Sequence, residues 1–207
     1  MVKDGILWIL IPALAALAAA LFGLWWVAIP LLLLAAFMAY FFRDPNRVVP
    51  DDEALVVSPA DGRVTRVEKL SEGDAQTPTV VSIFLSPFDV HVNRSPIAGR
   101  VIDRAYTKGR FMIATKDEAS LVNEQNALTI EGERITVVCK QIAGVLARRI
   151  VCWKGPGDVL QRGERFGLIK FSSRTDLVLP PEVSVSVSVG DRVRGGVSVI
   201  GRINDGS

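Results

Sequence analysis

Val183-Ser184-Val185-Ser186-Val187-Ser188-Val189 alternates a β-branched apolar side chain with a small polar one over its whole length. A period of two places every valine on one face, which is the pattern of a half-buried strand. Outward from this stretch the same pattern recurs. Residues 64–67, 79–85, 127–130, 135–139 and 149–152 are short β-branched runs set between Gly, Pro and Asp turns. Residues 114–125 alone read as a helix. The part of the chain from Ala54 onward is therefore expected to be mainly β, a β-sandwich or an open barrel.

Two Gly-Asp turns, Gly157-Asp158-Val159 and Gly190-Asp191-Arg192-Val193, each have further glycines downstream. With Ser58-Pro59-Ala60-Asp61-Gly62 they resemble the turns of lipoyl- and biotinyl-type sandwiches. Turn chemistry alone accounts for these glycines, so no function is read from them.

The N-terminal part is of another kind. From Gly5 to Phe42 no residue is charged, a run well beyond the roughly 20 residues that one membrane-spanning helix needs. Gly23 and Trp25-Trp26 interrupt it near the middle. The expectation is a helical hairpin in residues 1–42, with helices over about 6–22 and 24–42, then a connector over 43–53 and a β domain over 54–207. Lys3 before the first helix and Arg43 and Arg47 after the second put both ends, and the β domain, on the cytoplasmic side of the cell membrane. A cleavable signal peptide fits poorly, because the apolar stretch is too long and lacks a small-x-small cleavage site.

The 207 residues carry a formal net charge of +2, which speaks against a nucleic-acid footprint. Arginines outnumber lysines, and the planar guanidinium suits phosphate or carboxylate oxygens, so an anionic headgroup is a reasonable partner. Cys139 and Cys152 stand in apolar strand-like runs without metal-type spacing and read as buried thiols. No metal site is implied.

Three residues draw attention as chemistry. His91 is the only histidine, and its side chain alone has an unperturbed pKa close to neutrality, so general acid–base work would fall to it. Taken alone, a single histidine is more often structural. Asp61 lies in a turn, where Asp commonly bonds its own backbone; placed beside His91 it would orient the imidazole. Ser172-Ser173, after the apolar run 166–171, reads by itself as no more than a strand end.

The order of the motifs changes their weight. Phe41-Phe42-Arg43-Asp44-Pro45, Val57-Ser58-Pro59-Ala60-Asp61-Gly62, Phe84-Leu85-Ser86-Pro87 through His91 to Pro96, and Asn123-Glu124-Gln125-Asn126 come first. Ala147-Arg148-Arg149-Ile150 and Gly163-Glu164-Arg165-Phe166-Gly167 follow, leading to Ser173-Arg174-Thr175-Asp176-Leu177. This series resembles the short, archaeal-type phosphatidylserine decarboxylases from the hairpin to Pro180. The resemblance implies a proenzyme that cuts itself before Ser173 into a β chain, 1–172, and an α chain, 173–207, whose first residue becomes a covalent pyruvoyl group. That ketone would take up the amine of a serine phospholipid and accept the electrons left when CO2 departs, as pyridoxal phosphate does elsewhere.

The resemblance makes Ser173, His91 and Asp61 the catalytic set and Ser172-Ser173 the cleavage site. Asn93, Arg94, Arg148 and Arg149 are candidates for holding the phosphodiester or carboxylate, by charge type and position. The expected partners are phosphatidylserine or a related serine phospholipid, the membrane, and the two chains of one precursor, and homo-oligomer formation is compatible with this. Two departures stand out. The family usually has Gly before the reactive serine, where this chain has Ser172, and glycine reaches conformations that cost other residues free energy. The long bacterial form has a second histidine three residues after the one matched by His91, where this chain has Arg94. The first departure defines the alternative, a maturation-defective β-sandwich that is anchored in the membrane and binds anionic lipid without catalysis. A lipoyl-like carrier domain is disfavoured, since Lys140 and Lys170 lie in strand-like runs instead of at a hairpin tip.

Overall fold

The computed structural model describes residues 1–71, 77–109, 122–144, 149–170 and 173–204. The chain divides into two compact units, Met1–Asn46 and Arg47–Ser207.

The first unit is a helical hairpin. A short 3-10 turn, Lys3–Gly5, leads into α1, Ile6–Leu21, and α2, Trp25–Phe41, follows. Gly23 makes the turn at φ 72°, a left-handed conformation that an L side chain adopts only at a cost. Small residues let the helices approach: Ala16, Ala19, Ala28 and Ala35 are buried in the hairpin, while Leu21, Phe22, Trp25 and Trp26 at its tip are exposed. At its base the Val2 amide donates to the Phe42 carbonyl at 3.2 Å. Residues Lys3–Leu21 form one helical stretch of 19 residues long and apolar enough to cross a membrane. The second helix, with 17 residues, rises only about 25 Å at 1.5 Å per residue, short of a hydrocarbon core of about 30 Å.

The second unit is mainly β. An eight-stranded sheet curls into a half-barrel. Its strands, all antiparallel to their neighbours, run in the order β13 (Arg192–Val193), β2 (Gly62–Lys69), β3 (Thr79–Leu85), β11 (Ser173–Leu179), β7 (Thr136–Ala143), β6 (Gln125–Glu131), β5 (Gly99–Thr107) and β9 (Val159–Leu160). One three-stranded sheet is β1 (Leu55–Val57), β14 (Val199–Ile203) and β12 (Val183–Val185). The other is β4 (Val92–Arg94), β10 (Arg165–Ile169) and β8 (Ile150–Cys152). Alternation decides what is inside. Val81, Ile83 and Leu85 of β3, Val137 and Cys139 of β7, and Leu177 and Leu179 of β11 meet Val56, Phe166 and Ile200 from the smaller sheets in one core.

Two expectations are corrected. The alternating stretch 183–189 is a strand only as far as Val185. Beyond it the Ser186 amide still donates to Ile200 O, but the Ser188 amide turns to the Asp191 carboxylate, and an Asp-centred turn replaces the ladder. Ser173 does not end the strand before it: it is the first residue of β11, at the centre of the large sheet, whereas residues 166–169 lie in β10 of a different sheet. The chain therefore passes from one sheet to another between Ile169 and Ser173. Most of the expected helix 114–125 lies outside the described residues, and its last residue, Gln125, begins β6.

Candidate active site

β11 carries Ser173, Thr175, Leu177 and Leu179 on one face and Arg174, Asp176 and Val178 on the other, as the pleat requires. The first face belongs to the core, and it is apolar at one end and polar at the other. Ser173 pairs across the sheet with Leu85 on one side and Ala143 on the other, and Thr175 pairs with Ile83 and Gln141. Ser173 is 0 % exposed, and its Oγ has no hydrogen-bond partner among the described residues. A buried hydroxyl ordinarily costs free energy unless it is bonded, and such exceptions often mark chemistry.

The segment with His91 approaches the polar end from the small sheet. β4 pairs with β10, Asn93 opposite Gly167 and Val92 opposite Leu168, and the Ile169 amide donates to His91 O at 3.3 Å. His91 is buried, and its Nδ1 lies 3.0 Å from Asp89 O. A carbonyl only accepts, so Nδ1 carries a proton, and it is Nε2 that gains or loses one when the ring titrates. Asn93, two residues on, donates from Nδ2 to Thr175 Oγ1 at 3.0 Å. Thr175 stands two residues from Ser173 on the same face of β11, so the strand of His91 is fastened to the strand of Ser173.

The turn Ser58-Pro59-Ala60-Asp61-Gly62 receives this segment. Ser58 Oγ closes the turn on Ala60 O at 2.7 Å, and Pro59 O accepts from the Arg94 amide at 2.9 Å. Asp61 accepts from Arg47 Nη2 at 2.7 Å and from the Gly195 amide at 2.8 Å, and makes no hydrogen bond to His91. The turn therefore joins the connector, β4 and the C-terminal turn at one point. No local signal in the sequence reported these partners of Asp61, because they come from distant segments.

Arg94 is buried, with Nη1 donating to Gly163 O at 3.1 Å. Both ends of the Asn93 amide are engaged, Nδ2 with Thr175 and Oδ1 as acceptor from Gln141 Nε2 at 2.9 Å. Arg149 is exposed. Arg148 and Ser172 lie outside the described residues. Sequence reading passed over Thr175, Gln141 and Asn126, which look like ordinary polar strand residues until the strands are assembled.

Near the site, Lys154 Nζ lies 2.7 Å from Glu164 Oε1. Burial pushes the Glu164 carboxyl up, but the hydrogen bonds from Lys154 and the Gln161 amide outweigh it and hold the group below its usual range. Burial alone pushes the Cys139 thiol far up, so it stays protonated and inert in the core. Cys152 is also a free thiol. No cluster of three or more His, Cys, Asp or Glu side chains among the described residues is placed to hold a metal ion.

The sequence model of the phosphatidylserine decarboxylase family matches residues 34–201. The phosphatidylserine decarboxylase proenzyme of Solibacter usitatus is 50% identical over 194 residues, covering 92% of each chain. That of Symbiobacterium thermophilum is 50% identical over 205 residues, 95% of this chain and 93% of its own. That of Desulfotalea psychrophila is 47% identical over 180 residues, 83% and 82% of the two chains. With identity this high along nearly the whole length, the chain belongs to the phosphatidylserine decarboxylase family.

Proposed function

We propose that this chain is a self-processing proenzyme that cuts itself before Ser173 and then converts phosphatidylserine to phosphatidylethanolamine and CO2. The observation that carries this reading is Ser173 itself, its Oγ buried without a partner among the described residues at the head of the central strand. In the processing step Ser173 Oγ adds to the carbonyl carbon of residue 172, the peptide C–N bond breaks, and an ester forms. Loss of the Ser173 Cα proton then breaks the Cβ–O bond and frees residue 172 as a carboxylate. Water replaces the nitrogen of the resulting dehydroalanine, and ammonia leaves.

The pyruvoyl group made in this way fits the site, since it replaces a serine whose hydroxyl has no partner to lose among the described residues. When present it supplies a ketone for the substrate amine and a sink for the electrons released with CO2. The protein supplies the rest. His91, through Nε2, takes the Ser173 hydroxyl proton during processing and delivers a proton to the substrate carbon during turnover. Arg94, Arg148 and Arg149 hold the phosphodiester or carboxylate. Asn93 serves them indirectly, through the position of its segment, and Asp61 acts by fixing the turn that receives it. Only the serine headgroup takes part, so ester- and ether-linked lipids are equivalent in this chemistry. The hairpin holds the domain at the membrane, with the β domain on the cytoplasmic side.

The test is the intact mass of the chains obtained after expression in membranes. A fragment starting at position 173, blocked to N-terminal sequencing and with the mass of a pyruvoyl group in place of serine, is expected. Full-length chain alone, under conditions where a Ser172→Gly variant is cut, would establish instead the non-catalytic lipid-binding protein. His91→Gln is expected to leave most of the chain uncut and, in whatever fraction matures, to lower the rate of CO2 release by about 10²–10⁴-fold. An unchanged rate would remove His91 from the mechanism.

A further inference from the structure

A row of buried amides crosses from the large sheet to the small one beneath the site. Arg104 Nε donates to Asn126 Oδ1 at 3.1 Å, Asn126 Nδ2 to Gln141 Oε1 at 3.0 Å, Gln141 Nε2 to Asn93 Oδ1 at 2.9 Å, and Asn93 Nδ2 to Thr175 Oγ1 at 3.0 Å. Asn126, Gln141, Asn93 and Thr175 are each 0 % exposed. The direction of the row is fixed at three points. A guanidinium can only donate, and Val151 O and Pro59 O, which receive weaker bonds from Gln141 and Asn93, can only accept.

Four buried polar side chains stabilise the core less than apolar ones would, unless their arrangement has a use. The strands suggest which. β4, just after His91, has only three residues and a register shift beside Asn93. Its ladder partner β10 is tied to β11 through residues 170–172, and the cut before Ser173 severs that tie. The bonds of Asn93 to Thr175 and Gln141 do not depend on the scissile peptide. β10 also makes room for them: a Cβ on Gly167 would collide with Val151 O and crowd Gln141 Nε2 at 2.9 Å.

We propose that Gln141 and Asn93 are positioning residues that keep His91 registered on the α chain after the precursor is cut. This rests on the function proposed above. The row is redundant with the covalent tie in the precursor and indispensable in the product.

The test uses the full chain in detergent and the ring resonances of His91, unambiguous because the chain has one histidine. In the processed protein, Gln141→Met, similar in length but unable to hydrogen-bond, is expected to shift or broaden these resonances. It should also lower kcat by tenfold or more, a loss of the order that misplacement of a reacting group by about 1 Å produces, with KM within about twofold. In an uncut Ser173→Ala chain the same substitution should leave the His91 resonances where they were. Unchanged kcat and resonances in the processed Gln141→Met protein overturn the proposal. Equal disturbance of cut and uncut chains also overturns it, since that is the mark of a packing role. Should Gln141→Met yield too little folded protein, Thr175→Val removes the end of the row at constant volume and is expected to behave in the same way. The His91→Gln variant tests the underlying reading separately, because its full activity would sink that reading whatever Gln141 does.

Discussion

A Ser173→Ala chain is expected to remain whole at 22.5 kDa, to release no CO2 from phosphatidylserine, and to melt at a temperature no lower than the uncut parent. Loss of cleavage follows because no other atom can form the ester that replaces the peptide bond. The thermal behaviour follows from the surroundings. The hydroxyl is buried and has no partner among the described residues, so its removal breaks no hydrogen bond and relieves a desolvated polar group. Gel electrophoresis, CO2 release and a thermal melt of the Ser173→Ala protein against an uncut His91→Gln sample check the three parts. A melting temperature several degrees lower would mean that the hydroxyl holds the strand in place. Residual cleavage would place the reactive residue elsewhere.

The second large effect is on stability. Arg174 Nε lies 2.8 Å from Asp176 Oδ1, and Nη2 donates to Oδ2 at 3.0 Å, with both side chains under 5 % exposed. They stand two apart on the face of β11 opposite Ser173. Desolvating two charges is costly, and the pair is tolerated because each neutralises the other. Asp176→Ala removes the carboxylate that faces the buried guanidinium at both nitrogens and is expected to cost about 3–5 kcal/mol. The check is the urea midpoint of Asp176→Ala in the uncut Ser173→Ala background. Replacing both residues, Arg174→Met with Asp176→Leu, should recover most of the loss. If Asp176→Ala shifts the midpoint by less than about 1 kcal/mol, the pair behaves as an exposed one.

That pair also shows where reading by pattern stops. Residue types along β11 alternate as a strand should, and Thr79–Leu85 was legible residue for residue from its β-branched run. Pattern does not reveal which face of Arg174-Thr175-Asp176 is covered, because covering depends on strands far away in sequence. Ser173 stood out as the candidate reactive residue only through the order of the motifs around it. By its own neighbours it was a strand end, and its place between β3 and β7 is a property of the assembled sheet. Asp61 was legible as a turn residue and remained one, but Arg47 and Gly195, which hold it, lie in the connector and near the C-terminus. The amide row escaped for the same reason, since Asn93, Asn126, Gln141 and Thr175 lie on four different strands.

The crossing of the chain between two sheets just before Ser173 sets the order of events in the life of the molecule. With the proposed cut before Ser173, the downstream piece contributes β11 to the middle of the large sheet, β13 to its edge, and β14 and β12 beside β1. Neither piece owns a closed core, so the two are threaded through each other like interlaced fingers and part only when the whole domain unravels. Cutting is thereby licensed by folding. A precursor that has not yet built its sheets has no aligned serine to fire, and halves synthesised from separate messages would each lack the strands on which the other must be laid. The molecule becomes two chains only after it has finished being one.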